Sequence, residues 1–231
     1  MALPILNEVP RYSLKIPSTG KLLKYRPYLV KEEKILLLAK ESQDQEQIMD
    51  AVTDTVLACT DQKAQLTKLT TFDLEYIFVK IRAKSVGENV DLVLPCPECK
   101  ATNEASINLD EVTCPVDVQV KNIIDIDDNV SVEMKYPSYG NLENAEDATE
   151  NAFNIMASCL NAVITKEERI DISDESKDTV LKFLESMTSV QFAKLSTFVR
   201  SMPQVEHHII FDCAECGHHN DIEVKGMQSF F

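Results

Sequence analysis

The sequence predicts an α+β fold that combines helices with short antiparallel hairpins. Two Cys-x-x-Cys motifs, hook 1 (Cys96–Cys99) and hook 2 (Cys213–Cys216), each lie between two stretches in which apolar and polar residues alternate. Apolar residues recur at helical spacing in residues 31–88 and again in residues 146–202. We therefore expect each hook at the turn of a hairpin, with helices before and between the two hairpins.

The two hooks together supply four thiolates, a complete ligand set for one tetrahedral structural Zn²⁺. They are separated by 113 residues, 100–212, and closing such a loop costs about 5 kcal/mol of chain entropy. Zinc binding to four cysteines contributes roughly 10–16 kcal/mol, so the metal can hold the remote segments together. We predict a zinc ribbon split between residues 89–110 and 204–226. Its expected ligands are Cys96, Cys99, Cys213 and Cys216.

Redox and disulfide chemistry are the alternatives for these motifs. A redox Cys-x-x-Cys normally begins a helix, whose N-terminus stabilises the thiolate, whereas both hooks precede alternating segments rich in polar residues. The chain has seven cysteines, an odd number, and shows no secretory signal, so a disulfide framework is not expected. Since a four-thiolate site leaves no coordination position open for water or substrate, we expect the zinc to be structural.

Cys114 and the four histidines are further candidate ligands. Cys114 has no partner at hook spacing, and the histidines form two adjacent pairs beside hook 2, His207-His208 and His218-His219. Adjacent strand residues point to opposite faces, so neither pair is a ready-made bidentate site. A histidine that replaces one cysteine, or that hydrogen-bonds to a thiolate, stays open as an alternative to simple surface positions.

The segment before hook 1 divides into a basic extended arm, residues 1–30, and a helical region, residues 31–88. Through residue 34 the chain carries seven basic and three acidic residues, whereas residues 110–150 carry eleven acidic and two basic ones. This asymmetry favours an arm that docks on an acidic face of its own chain or of a neighbour, with two independently solvated surfaces as the alternative. Three helices are expected, over 31–42, around 48–59, and from Thr71 to Gly87. The basic residues Lys80, Arg82 and Lys84 fall toward the C-terminal end of the third helix, where the helix dipole favours them.

Residues 111–203 are predicted to form an inserted domain of a β-hairpin and three helices. The strands are expected over 116–124 and 130–135, and the helices over 146–164, 174–187 and 189–202. Each helix has one apolar side, which we expect to be covered by core packing.

Residues 227–231 form an aromatic tail that ends in Phe230 and Phe231. The two rings could pack on the chain's own core or be anchored in a pocket of another protein. We take the second as a working hypothesis, with Phe230 and Phe231 as partner contacts.

Composition limits the function classes. The formal charge is −15, from 23 basic and 38 acidic residues, and the pI is about 4.7, which disfavours general nucleic-acid binding because phosphate affinity depends on accumulated Lys and Arg. We expect no membrane span, since no apolar run approaches 18 residues. A phosphate loop, nucleophile elbow or metalloprotease motif is also missing, so we expect no enzyme. A zinc-ribbon nucleic-acid or transcription-type factor is kept as the alternative.

Several motifs carry a resemblance to a known family. They are Leu14–Lys21, Tyr25–Pro27, Lys31–Leu36, Phe72–Phe78, Arg82–Glu88 and both hooks. With these motifs the chain resembles the baseplate proteins of T-even-like contractile-tailed bacteriophages.

The resemblance implies a non-enzymatic morphogenesis protein needed to assemble the central hub of the tail baseplate, as a hub component or an assembly chaperone. The implied partners are other hub proteins, and the implied location is the host cytoplasm during assembly, with the virion baseplate as a further site. The family's zinc cysteines carry over as the four hook cysteines.

Overall fold

A computed structural model of the chain describes residues 9–61, 69–116, 120–138 and 148–230. Within these residues the chain forms six α-helices and ten β-strands in small antiparallel sheets, as the predicted α+β class requires. The chain divides into two compact units. Unit 1 comprises Met1–Leu66, Phe72–Pro115 and Gln204–Phe231, and unit 2 comprises Thr67–Thr71 and Val116–Pro203.

The helices are α1 (Val30–Ser42), α2 (Gln45–Cys59), α3 (Thr71–Val86), α4 (Ala148–Cys159), α5 (Lys177–Glu185) and α6 (Ser189–Arg200). The strands are β1 (Tyr12–Lys15), β2 (Leu22–Tyr25), β3 (Asn89–Pro95), β4 (Thr102–Asn108), β5 (Ile123–Asp125), β6 (Val130–Met134), β7 (Leu160–Thr165), β8 (Arg169–Asp171), β9 (Glu206–Asp212) and β10 (His219–Lys225).

The described part of the basic arm is a hairpin of β1 and β2 in unit 1, with Leu14 opposite Leu23. Its turn is fixed by Asp73, which accepts hydrogen bonds from the Ser18 backbone N–H (2.9 Å) and hydroxyl (2.5 Å). Arg26 forms an ion pair with Glu32 at 3.0 Å. The arm therefore contacts acidic groups of its own unit, one of the outcomes that its charge left open.

The helices of the 31–88 region are confirmed, with ends close to those predicted. Asp44 accepts hydrogen bonds from the backbone N–H groups of Glu46 and Gln47 and so caps α2. Helix α3 is buried over most of its length. Its fully buried apolar residues are Phe72, Leu74, Ile77, Phe78, Val79, Ile81 and Ala83.

Lys80 has a different role from the one predicted at the end of α3. Its side chain is buried, and Nζ donates to the backbone carbonyls of Leu109 (3.0 Å), Asp110 (2.7 Å) and Val112 (2.9 Å). Lys80 therefore fixes the segment after β4 to the helix instead of serving the helix dipole. Lys84 pairs with Asp110 at 2.5 Å, near the same segment.

Two antiparallel hairpins, β3–β4 and β9–β10, carry the hooks at their turns. Thr113 and Glu206 exchange two backbone hydrogen bonds, of 3.0 and 2.8 Å, next to the start of β9. Apolar residues from α3, the hairpins and the C-terminal segment form a common core. Its fully buried members are Val79, Ala83, Ile107, Leu109, Val112, Val205, Ile209 and Phe230.

The tail folds back on unit 1. Met227–Phe230 form a 3-10 turn, and the Phe230 ring is only 1% exposed in the core just described. The backbone N–H of Met227 donates to the Glu75 carboxylate. Of the two outcomes left open for the tail, the structure thus shows Phe230 on the chain's own core, while Phe231 lies outside the described residues.

Unit 2 contains a four-stranded antiparallel sheet in the order β5-β6-β7-β8. Its core combines this sheet with α4, α5 and α6, and the predicted apolar sides of α5 and α6 are packed there. The fully buried members are Ile126, Val132, Met134, Met156, Cys159, Leu160, Val180, Leu184, Leu195 and Phe198.

Two predictions in this unit were wrong. The helix expected to run to Ile164 ends at Cys159, and the next residues form β7, which lies inside the sheet and pairs on both sides. A strand in the interior of a sheet reads as a short continuous apolar run, which helical spacing also fits. The strand expected over 116–124 is limited to Ile123–Asp125 among the described residues, and 117–119 lie outside them.

Candidate metal centre

The two hooks have the same backbone structure. In hook 1 the Cys96 N–H donates to Ala101 O (2.8 Å), and the Lys100 N–H donates to Cys96 O (2.9 Å). The corresponding bonds at hook 2, from Cys213 N–H and Gly217 N–H, are both 2.9 Å. Lys100 and Gly217 both have left-handed backbone, with φ of 64° and 69°. Each hook is thus a tight turn that points both sulfur atoms to one side.

The hooks bring the four predicted cysteines together. The Sγ atoms of Cys96 and Cys216 are 3.8 Å apart, those of Cys99 and Cys213 are 3.6 Å apart, and all four lie within 4.8 Å of one another. A tetrahedral zinc ion with bonds near 2.3 Å requires sulfur–sulfur distances of about 3.8 Å. The cysteines are unbridged, and their spacing fits four ligands around one metal ion.

Within each hook, the first cysteine is buried and the second is exposed. Cys96 and Cys213 are buried, at 0% and 3% exposure, whereas Cys99 and Cys216 are exposed. Backbone N–H groups of Cys99 and Glu98 lower the pKa of Cys96. Equivalent groups, those of Cys216 and Glu215, lower the pKa of Cys213 to about 6.

The pKa of Cys216 moves in the opposite direction, to about 12. The backbone N–H of His218 lowers it, but the neighbouring sulfur atoms of Cys99, Cys213 and Cys96 raise it more. Four thiolates packed this closely repel one another unless a cation neutralises them. The site therefore combines donors that favour thiolates with a charge density that a divalent metal would balance.

Sequence reasoning missed two asparagines that border the cluster, Asn103 and Asn220. The Asn103 amide donates to Cys213 Sγ across 3.6 Å, and the Asn220 side-chain oxygen lies 3.6 Å from Cys96 Sγ. Both asparagines are buried and reach the hook of the other hairpin. The signal was present, since each follows the last cysteine of its own hook by four residues.

The other candidate ligands lie outside the cluster. Cys114 is half-buried, and burial raises its pKa to about 12. His208 pairs with Asp221 at 2.9 Å and His219 with Asp212 at 2.7 Å, all on exposed positions. In the described part of the chain, the four hook cysteines are the one group of His, Cys, Asp or Glu that is arranged to hold a metal.

A family model described as T4 bacteriophage base plate protein matches residues 9–231, nearly the whole chain. The chain belongs to this family. This confirms the resemblance drawn from the sequence motifs and indicates a structural or assembly role in the bacteriophage baseplate, with phage proteins as partners. Comparisons with curated proteins and with solved structures gave no match. Among the described helices, none is both long enough and apolar enough to cross a bilayer.

Proposed function

We propose that this baseplate-family protein is a non-enzymatic morphogenesis protein that helps to assemble the central hub, as a hub component or an assembly chaperone. It acts through contacts with other hub proteins in the host cytoplasm and, if it is retained, in the virion baseplate. A single structural Zn²⁺ clamps its two hairpins. The observation that carries this proposal is the four-sulfur cluster, built from two remote hooks, in a chain of the baseplate family.

Zinc is the metal that suits this donor set best. Four thiolates in a tetrahedral arrangement are typical of structural zinc, and they leave no position open for a substrate or a reactive water. The ion would join β3–β4 to β9–β10, as in a zinc ribbon whose halves are separated by 113 residues, 100–212. In this arrangement the metal supports the shape of unit 1 and takes no part in chemistry.

The surface of the two hairpins supports protein contacts over nucleic-acid binding. Two of their histidines face carboxylates, in the pairs His208–Asp221 and His219–Asp212. The pKa of His208 is raised by its hydrogen bond to Asp221, but the carboxylate offsets the added charge. With a formal net charge of −15, the chain offers phosphates little attraction. A nucleic-acid-binding ribbon is therefore the weaker alternative.

Metal analysis combined with partner recovery tests the proposal. We expect purified protein to contain one zinc per chain and to recover other hub proteins, identified by mass spectrometry, from an infected-cell lysate. Cys216→Ser removes an exposed ligand without opening the core, and it should lose zinc, hub recovery and the ability to complement a phage lacking the protein. Cys114→Ser, outside the cluster, is the matched control and should retain all three.

Two results would contradict the proposal. If purified wild-type protein contained no zinc, the metal clamp would be refuted. If wild type and Cys216→Ser recovered hub proteins equally well, the metal clamp would not be needed for assembly. Filter binding to DNA and RNA in a salt titration addresses the alternative, because a steep loss of affinity with salt is the signature of phosphate contacts.

The predicted partner contact of the tail is retained for Phe231. Phe230 is buried in the core of unit 1. Replacing both rings would therefore destabilise unit 1, and a loss of binding could not be distinguished from unfolding. Phe231→Ala alone should reduce hub recovery while leaving the thermal midpoint unchanged. Unchanged recovery would remove the tail from the partner surface.

A further inference from the structure

Asn103 joins the two hairpins independently of any metal. Its side-chain oxygen accepts a hydrogen bond from the Ala214 backbone N–H in hook 2 (3.0 Å), and its amide nitrogen donates to Cys213 Sγ (3.6 Å). The same nitrogen donates to Ala101 O at 3.0 Å. Because one end meets a backbone donor and the other a backbone acceptor, the orientation of the amide is fixed by its partners. Asn103 is only 8% exposed.

The two hairpins correspond residue by residue at a constant offset of 117, from Cys96 to Cys213. The offset relates β3 to β9 and β4 to β10 with the same strand ends and the same pairing register. It also relates Asn103 to Asn220, and the bond from Asn103 to Ala101 O has its counterpart from Asn220 to His218 O, at 2.8 Å. The two asparagines therefore occupy equivalent places.

The two Cys-x-x-Cys motifs differ at one residue. The offset places Pro97 in hook 1 where hook 2 has Ala214, and proline has no backbone N–H. The side-chain oxygen of Asn220 therefore lacks the backbone donor that Asn103 finds in Ala214, and it faces Cys96 Sγ instead. The amide of Asn220 is held in this orientation because its nitrogen donates to His218 O and to Phe211 O (3.3 Å).

We propose that Asn103 is a positioning residue for the metal centre that latches hook 2 onto strand β4, and that Pro97, which has no backbone N–H, prevents Asn220 from forming the equivalent latch to hook 1. The inference rests on the proposed zinc site. The latch holds the Cys213 sulfur and the hook 2 backbone against β4 before the ion binds. The loss of conformational entropy on metal binding is therefore smaller. The N–H donated to sulfur also stabilises the thiolate in the loaded site.

Zinc affinity of the full chain, measured by competition with a chromophoric chelator, tests this inference. Asn103→Leu removes the latch at similar volume and should weaken zinc binding about 10- to 100-fold, the range for residues that orient metal ligands. Asn220→Leu should weaken it less. Asn89→Leu, at an exposed position of β3, is the control and should leave the affinity unchanged.

Pro97→Ala supplies the missing N–H and gives a gain-of-function test. Zinc affinity should rise about 2- to 10-fold, the effect of one hydrogen bond. The gain should disappear in the Pro97→Ala, Asn220→Leu double variant, because the new donor then has no acceptor. A purely structural role of Asn220 predicts the same gain in both backgrounds.

Cobalt substitution supplies a readout of ligand geometry. Co²⁺-loaded Asn103→Leu should keep the sulfur-to-metal absorption of a four-thiolate site while its affinity falls, since all four ligands remain. If wild type binds zinc and Asn103→Leu matches Asn89→Leu in affinity, the positioning role is refuted and the zinc site stands. If wild type binds neither Zn²⁺ nor Co²⁺, the zinc site is refuted together with the latch.

Discussion

Replacing Phe230 by alanine tests whether the tail is part of the fold of unit 1. The Phe230 ring is 1% exposed and shares a core with Val79, Ile107 and Val205. Truncation of a buried phenylalanine removes its apolar contacts and leaves a cavity, at a cost of about 3–5 kcal/mol. Since whole domains are stable by only about 5–15 kcal/mol, we expect a large loss from this single change.

The expected loss can be read as a thermal shift. For proteins of about this size, 1 kcal/mol moves the midpoint by about 2–4 °C, so Phe230→Ala should lower it by roughly 6–20 °C. Far-ultraviolet circular dichroism is the suitable probe, because the chain contains no tryptophan. The metal should be present at a saturating concentration in every sample, so that the variant and the wild type differ only in the core.

Ile210→Ala is the matched control for Phe230→Ala. Ile210 lies in the same unit, on β9, but is 63% exposed, and substitutions at such sites usually change stability by less than about 0.5 kcal/mol. A midpoint for Phe230→Ala equal to that of Ile210→Ala would show that the ring is not in the core. The tail would then be available again as a partner contact.

Two further substitutions address the buried polar groups of unit 1. Lys80→Met leaves three backbone carbonyls without their donor and should lower the free energy of unfolding in urea by about 2–3 kcal/mol. If Lys80→Met were as stable as the exposed-site control Lys24→Met, the hydrogen bonds of Lys80 would not contribute to stability. Burial raises the pKa of Glu75, which the Met227 N–H only partly offsets, so the ionised carboxylate destabilises the fold as pH rises through its folded pKa. Glu75→Gln keeps an acceptor for Met227 and should have a higher thermal midpoint than wild type at pH 8. The difference in midpoint should vanish below about pH 4, where Glu75 is protonated in the unfolded chain as well. A difference in midpoint that does not depend on pH would refute the raised pKa of Glu75 as its cause.

The cysteine hooks could be located from sequence because their chemistry requires one residue type at one spacing. Cys96 and Cys213 come together in the structure even though nothing local in the sequence specifies a contact across 116 intervening residues, 97–212. The ligand requirement of a tetrahedral metal supplied the long-range constraint. Hairpins could be predicted for a related reason, since alternation over seven residues has few other interpretations.

Strand β7 and Lys80 show where sequence reasoning failed. Leu160–Thr165 contains a buried apolar run that follows a real helix directly, and its conversion to a strand is decided by pairing with β6 and β8. Lys80 stands near a helix end, where a solvated cation is common, but the carbonyls it binds come from residues 109–112. In both cases the deciding partner lies elsewhere in the chain, and no local pattern encodes it.

Comparison of the two hooks with each other would have revealed the asparagines from sequence alone. Asn103 and Asn220 look like ordinary polar strand residues when each is read in its own hairpin, but both stand four residues after a hook. Aligning the two hairpins at the constant offset of 117 also shows which structural features they share and which they do not. The shared turns and strand register set the geometry of the sulfur cluster, while the Pro97/Ala214 difference acts on one hydrogen bond. Because loop-closure entropy rises by only about 0.6 kcal/mol per doubling of length, we expect that doubling the chain between the hooks would weaken the proposed zinc clamp less than loss of the proposed latch, for which we expect a weakening of about 10- to 100-fold.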